Sequence, residues 1–163
     1  MSYLSKRYDF HDKASGYAQL AVELRALLDG EHDLVANAAN TAALIFDALP
    51  DLNWTGFYFL KEGELLVGPF QGKPACMRIA MGKGVCGTAA AARRAIVVPD
   101  VHAFAGHIAC DAASRSELVI PLQTQSGLLG VLDLDSPLLH RFDDGDLRGL
   151  EQLTQIFLRS LTP

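Results

Sequence analysis

The hydrophobic period of this chain changes twice, and that change bounds the folds open to it. Tyr17, Leu20, Ala21, Leu24, Leu27 and Leu28 recur at helical spacing before Gly30, a natural stop. Asp33 is placed to cap a second helix, with Leu34, Val35, Ala38, Ala42, Ile45, Phe46 and Leu49 on its apolar face and Pro50 at its end. From Asn53 the period becomes two. Residues 53–60 read as a strand and 64–70 as its partner across a Lys61-Glu-Gly turn, with a further short strand over 77–80. An alanine-rich helix over 84–94 and a strand over 95–98 follow. Residues 116–124 and 128–136 then form a hairpin across Gln125-Ser-Gly127. The helical period returns from about Asp143, with Leu147, Leu150, Leu153, Phe157 and Leu161 on one face. Helices at both ends of a run of adjacent strands predict an α+β fold. Its single antiparallel sheet has about six strands, terminal helices on one face and room for a small-molecule pocket on the other.

A chain of 163 residues suits one domain, here 1–163, with the first helices inside 1–50, the sheet and its loops in 53–136 and the closing helix in 143–161. The formal net charge of -5 argues against a nucleic-acid surface. No apolar run approaches the roughly 20 residues of a membrane span. The first ten residues carry charge where a secretion signal needs an apolar stretch, so a cytoplasmic setting is expected.

The three cysteines, Cys76, Cys86 and Cys110, all fall in one glycine-punctuated stretch. An odd number cannot close into a complete disulfide framework, so the cluster points to redox chemistry or metal binding. Cys110 lies in a long connection, residues 99–114, rich in His, Asp, Ala and Gly, and connections of that length are usually functional or mobile.

Strand alternation narrows the site. Side chains two apart share a face. Glu117, Val119 and Pro121 therefore share one, opposite Leu118, Ile120 and Leu122. In the next strand Leu129, Val131, Asp133 and Asp135 oppose Leu132 and Leu134, and in the first strand Trp54, Gly56 and Tyr58 oppose Phe57 and Phe59. The fully apolar faces should pack on the helices. That leaves Glu117, Asp133, Asp135, Trp54 and Tyr58 on the face the cysteine-bearing loops must cover, a set suited to a small cationic or zwitterionic ligand. The competing reading is a merely solvated sheet face, and alternation alone does not separate the two.

The motifs Asn53-Trp-Thr-Gly-Phe-Tyr, Gly68-Pro-Phe-Gln-Gly-Lys, Gly82-Lys-Gly-Val-Cys-Gly-Thr-Ala, Gly106-His-Ile-Ala-Cys-Asp-Ala-Ala-Ser and Gly130-Val-Leu-Asp-Leu-Asp-Ser give the stretch from Trp54 to Phe142 a specific likeness. It resembles the free methionine-(R)-sulfoxide reductases, which are built on a GAF domain. The resemblance implies that Cys110 is the nucleophile, Cys76 the main resolving thiol and Cys86 an auxiliary. It further implies that Glu117, Asp133 and Asp135 hold the substrate, with Trp54 and Tyr58 as pocket aromatics. Free methionine sulfoxide as substrate, thioredoxin as reductant, a homodimer and no metal or cofactor follow from the same resemblance.

The chemistry asks for such groups on its own account. Reducing a sulfoxide takes a soft nucleophile on sulfur and a proton for the departing oxygen. A thiolate supplies the first. A carboxyl group kept neutral by burial or by a neighbouring carboxylate supplies the second, and Asp133 with Asp135 on one face is such a pair. The resulting sulfenic acid condenses with a nearby thiol, and an external dithiol must reopen the disulfide.

Rival readings attach to the same residues. Gly82-Lys-Gly84-Val-Cys-Gly87 matches a dinucleotide fingerprint but lacks a parallel βαβ unit. A zinc site from Cys76, Cys86, Cys110 and His107 lacks the usual Cys-x-x-Cys pairs. Cys86 also reads as a buried small hydrophobe. His102 and His107 are either loop surface or tuners of Cys110, and Lys73 and Arg78 are either solvated charges or, for Lys73, a help in ionising Cys76. A non-catalytic GAF sensor of a metabolite or of redox state is the alternative from another class.

Overall fold

The computed structural model describes residues 7–163. Each terminal helix starts where a carboxylate can cap it. α1 (Lys13–Leu28) begins after Asp12, whose side chain accepts the Ser15 N–H, and α2 (Leu34–Ala48) after Asp33, which accepts from Ala36. The last helix, α4 (Asp144–Ser160), opens with a reciprocal capping box between Asp143 and Asp146. Between them lie β1 (Trp54–Lys61), β2 (Glu64–Gly72), β3 (Arg78–Ala80), α3 (Gly84–Ala92), β4 (Ile96–Val98), β5 (Ser116–Thr124) and β6 (Gly127–Ser136). A short 3-10 turn, Val101–Ala103, interrupts the connection expected to be structureless. α3 stops at Ala92 because Arg93 turns into the left-handed region at φ 52°.

The six strands form one antiparallel sheet in the order β3-β2-β1-β6-β5-β4. One face meets α1, α2 and α4 through Leu20, Leu24, Ile45, Phe57, Leu118, Leu132, Leu134 and Phe157. The opposite face carries a second apolar cluster of Trp54, Tyr58, Leu65, Ile79, Val119 and Val131, and α3 lays Val85, Cys86, Ala89 and Ala90 upon it. This second face holds the candidate site.

Alternation fails at one predicted position. Leu129 packs with the helix-side core instead of beside Val131 and Asp133. The β5–β6 ladder pairs Leu122 with Gly130 and Gln123 with Leu128, which leaves Leu129 without a partner. A bulge adds one residue to the strand and sends Leu129 to the other face. Gly130 allows it, since a Cβ there would lie 2.0 Å from the Tyr58 carbonyl oxygen. Val35 also departs from its predicted face and is 61% exposed.

The chain before α1 returns to its own core. Tyr8 and Phe10 pack against the helix-side cluster, and the Phe10 ring meets Tyr17 edge-on at 5.2 Å. The sequence leaves Tyr3, Tyr8 and Phe10 open either to an assembly interface or to the domain's own core; Tyr8 and Phe10 are half-buried on that core, and Tyr3 lies outside the described residues. α1 and α4 are held by Tyr17, whose hydroxyl donates to Asp146 at 2.8 Å while Lys13 and Arg141 reach the same carboxylate at 2.7 and 3.2 Å. Gly149 lets the helices approach: a Cβ there would sit 2.1 Å from the Tyr17 ring. Gly149→Ala is therefore expected to lose ~1–3 kcal/mol of stability through overpacking, despite its better helix propensity. Urea unfolding of the two proteins measures it.

Candidate active site

The floor is set by strand register. Trp54 pairs with Asp135 and Gly56 with Asp133 across β1–β6, and Glu117 and Val119 pair with the same two aspartates across β5–β6. Period two therefore gathers Glu117, Asp133 and Asp135 with Trp54 and Tyr58, as the sequence predicts. A solvated face is not what results: Glu117 and Asp133 are only 6% and 5% exposed. Among the described residues no lysine or arginine pairs with any of the three; His107 Nε2 lies 3.7 Å from Glu117 Oε2, but burial, with His102 beside it, lowers the pKa of that ring and favours its neutral form. Burial, together with the neighbouring aspartates, pushes Glu117 well above the ordinary carboxyl range, and burial with Asp133 does the same to Asp135. Burial raises Asp133 to about 6, opposed by hydrogen bonds from Cys86 and Glu117. One Asp133 oxygen, Oδ1, is buried without a hydrogen-bond partner.

α3 delivers the middle cysteine onto this floor. Gly87 lets the helix sit close, because a Cβ there would lie 2.4 Å from the Ala80 carbonyl oxygen. The glycines thus serve a turn and a close approach, and with an antiparallel sheet the dinucleotide reading has no βαβ unit to stand on. Cys86 is buried, with Sγ 3.8 Å from Glu117 Oε1. Burial first, then Asp133 and Glu117, hold its thiol well above its usual pKa. It is a neutral thiol among carboxyls, ill-suited to be the attacking thiolate. The donor atoms of Cys86, Glu117 and Asp133 lie within 4.8 Å of one another, near enough to share one ion. The four-residue zinc set of the rival reading does not form, since Cys76 and Cys110 are joined to each other.

That bond is the lid. Cys76, just after β2, and Cys110, in the loop before β5, form a disulfide with Cα atoms 5.5 Å apart across 34 positions of sequence. The aromatics of the floor also hold the lid. Trp54 Nε1 donates to the Lys73 carbonyl at 3.1 Å, and the Tyr58 hydroxyl donates to the Cys76 carbonyl at 3.0 Å. The Trp54 ring stacks between Phe70 and Tyr58, with centroids at 5.2 and 5.8 Å. Cys110, His107, Asp111 and Ser114 close the other side. About 30 Å³ of free space remains beneath the bridge, room for little more than a water molecule. An amino-acid-sized ligand needs the lid to move.

Lys73 does not stand beside a thiol as a free cation: its Nζ lies 3.8 Å from Asp111 Oδ1. Arg78 pairs with Glu64 at the surface, and His102 is exposed. Sequence reasoning missed the polar set of Asn53, Asp111 and Ser114. Asn53 Nδ2 donates to Asp111 Oδ2 at 3.1 Å and to Ser114 Oγ at 3.0 Å. The one signal was their presence inside the motifs, but Asn, Asp and Ser at strand and loop ends read first as turn formers.

The burial of the carboxylates has a measurable cost. Asp133 ionises near 6 in the fold against about 3.8 when unfolded. The folded state therefore binds the proton more tightly, and its stability falls as pH rises through that window. Asp133→Asn removes this loss. It is expected to raise stability by ~1–3 kcal/mol above pH 6, with no gain below about pH 4, as unfolding curves across pH will register.

Comparisons with known proteins give the fold and the chain's relatives. Residues 35–157 match the family model described as a GAF domain. The chain is 51% identical to the free methionine-R-sulfoxide reductase of Escherichia coli (strain K12) over 87% of this chain and 86% of that one. It is 43% identical to the enzyme of the same name from Saccharomyces cerevisiae, over 87% of this chain and 83% of that one. Its structure superposes on the free methionine-R-sulfoxide reductase of Neisseria meningitidis, solved in complex with its substrate, with a TM-score of 0.91. Those chains are 40% identical, covering 97% of this chain and 96% of the other.

Proposed function

Since the chain belongs to the GAF-domain family of free methionine-R-sulfoxide reductases, we propose that it reduces free L-methionine-(R)-sulfoxide with Cys110 as nucleophile. The observation that carries this reading is the lid itself: a disulfide-bonded cysteine pair lies beside buried carboxylates that, among the described residues, pair with no lysine or arginine. A ligand ammonium would supply the missing positive charge. Glu117, Asp133 and Asp135 hold it, and the methyl and methylene groups lie against Trp54 and Tyr58.

The reaction runs in three steps. The Cys110 thiolate attacks the sulfoxide sulfur while a carboxyl of the floor, neutral through burial, gives its proton to the sulfoxide oxygen. The hydroxyl then passes from the sulfoxide sulfur to Cys110 Sγ as the transient sulfur–sulfur bond breaks, so that methionine leaves and Cys110 becomes a sulfenic acid. Cys76 then attacks that sulfur, the oxygen leaves as water, and the bridge forms. An external dithiol, thioredoxin in our reading, reduces the bridge to two thiols and takes up the disulfide itself. Cys86 stays beneath as a neutral auxiliary thiol.

The direct test follows consumption of a dithiol reductant and release of methionine from separate R and S sulfoxides. Turnover is expected with the free R epimer alone. A protein that binds the sulfoxide without oxidising the reductant would be the sensor of the alternative reading.

The same family reading makes the protein a cytoplasmic homodimer. No described helix is long and apolar enough to cross a membrane. Light scattering at micromolar concentration is expected to give twice the chain mass, and a monomer would refute the assembly.

A further inference from the structure

In the reduced enzyme the covalent tie between the two lid segments is gone, and something else must keep Cys110 over the floor. The hydrogen bonds from the His107, Cys110 and Ser114 amides go to Phe104, Ile108 and Asp111, all within the loop itself. Backbone anchoring to the sheet resumes at Arg115, whose N–H donates to the Ser136 carbonyl at 2.8 Å. Four polar side-chain ties of this loop remain among the described residues, the Ser114 hydroxyl against the Asp135 carboxyl being one. Lys73–Asp111 at 3.8 Å involves a lysine 73% exposed, so water and salt screen it. His107–Glu117 at 3.7 Å pairs the loop with a group that the substrate must engage. The third is Asn53, which bonds Asp111 and Ser114 at once.

Asn53 is itself fixed. Its backbone N–H donates to the Asp135 carbonyl at 3.0 Å, at the point where β1 enters the sheet beside β6. The Ser114 hydroxyl also lies against the Asp135 carboxyl. One neutral amide therefore connects the residue after the nucleophile to the strand carrying two of the floor carboxylates. Asp111 is braced for this role, because its other oxygen accepts the Ala113 N–H at 2.9 Å. Its carboxyl is held below the usual range by that bond, by Asn53 and by Lys73, so the amide meets an anion and the bond is charge-assisted.

We propose that Asn53 is a positioning residue for the reaction: through Asp111 and Ser114 it holds Cys110 in register with the carboxylate floor whenever the disulfide is open. The inference rests on Cys110 being the nucleophile. It asks more than stability of Asn53, since the clamp matters in the reduced form and is redundant while the bridge is closed.

The experiment measures methionine release in a single turnover of the reduced enzyme, together with kcat and KM. Asn53→Ala is expected to lose about 10- to 100-fold in kcat with KM within about threefold, the usual scale for a bond to a charged group. Asn53→Asp should fare worse, because a second acceptor faces Asp111 with no proton to share. The swapped pair, Asn53→Asp with Asp111→Asn, restores a donor opposite a carboxylate and should recover most of the lost rate. Asp111→Ala removes the clamp from the loop side without touching the strand and should match Asn53→Ala. A kcat for Asn53→Ala within twofold of the parent, or a swapped pair no better than Asn53→Asp alone, would overturn the proposal. Cys110→Ser in the same assay separates the two readings. If it is inert while Asn53→Ala is unimpaired, only the clamp fails; if it still releases methionine, the nucleophile assignment fails.

Discussion

Cys110→Ser is expected to release no methionine even in a single turnover, because without that thiol no sulfenic acid can form. Cys76→Ser separates chemistry from recycling. It should still release up to about one methionine per site and then turn over poorly with thioredoxin, a reductant that works best on a disulfide. The bridge in the structure gives this expectation its geometry: the Cα atoms of Cys76 and Cys110 stand 5.5 Å apart, within the span a disulfide requires. Enzyme treated with substrate alone should accumulate that same bridge. Cys86→Ser should be the mildest of the three, since Cys86 is buried and its thiol is held neutral. Peptide mapping after oxidation checks the assignment, and a dominant Cys76–Cys86 bridge would reverse the roles.

The carboxylate floor should produce the second large effect. Glu117→Gln, Asp133→Asn and Asp135→Asn are each expected to cost ~1.5–3 kcal/mol of transition-state binding, roughly tenfold to more than a hundredfold in kcat/KM. The loss arises because the amide would replace either a carboxyl that holds the buried ammonium or the one that gives its proton to the sulfoxide oxygen. Activity within twofold of the parent in all three variants would mean that the floor does not bind the substrate. The gain in stability expected for Asp133→Asn sharpens this test, because lost activity could not then be blamed on a damaged fold. Methionine sulfoxide within a peptide has no free ammonium to offer, and the enzyme should leave it unreduced.

Much of this site could be read from the chain because its floor is a strand property. Period two places Glu117, Asp133, Asp135, Trp54 and Tyr58 on one face wherever the ladder is regular, and it is regular there. The same rule misplaced Leu129, since a bulge is decided by how β5 and β6 meet and leaves little trace in composition. Asp33 and Asp143 marked their helix starts because capping is a matter of a few neighbouring residues. Val35 looked like core because its spacing was right, but the helices that pack against α2 leave it outside.

What the sequence determined by itself was local: the two periods, the caps, the turn at Lys61-Glu-Gly and the motifs that carry the family likeness. The tertiary structure decided which distant groups share a space. It buried the carboxylates without a cation, set Cys86 against Glu117, and brought Cys76 to Cys110 across 34 positions. It also turned the polar tips of Trp54 and Tyr58 onto the backbone of the Cys76 segment and gave Asn53 the loop after Cys110 to hold. The physical reason is that burial, pKa and hydrogen-bond partners depend on neighbours that only chain closure supplies, whereas period and capping depend on residues a few positions apart.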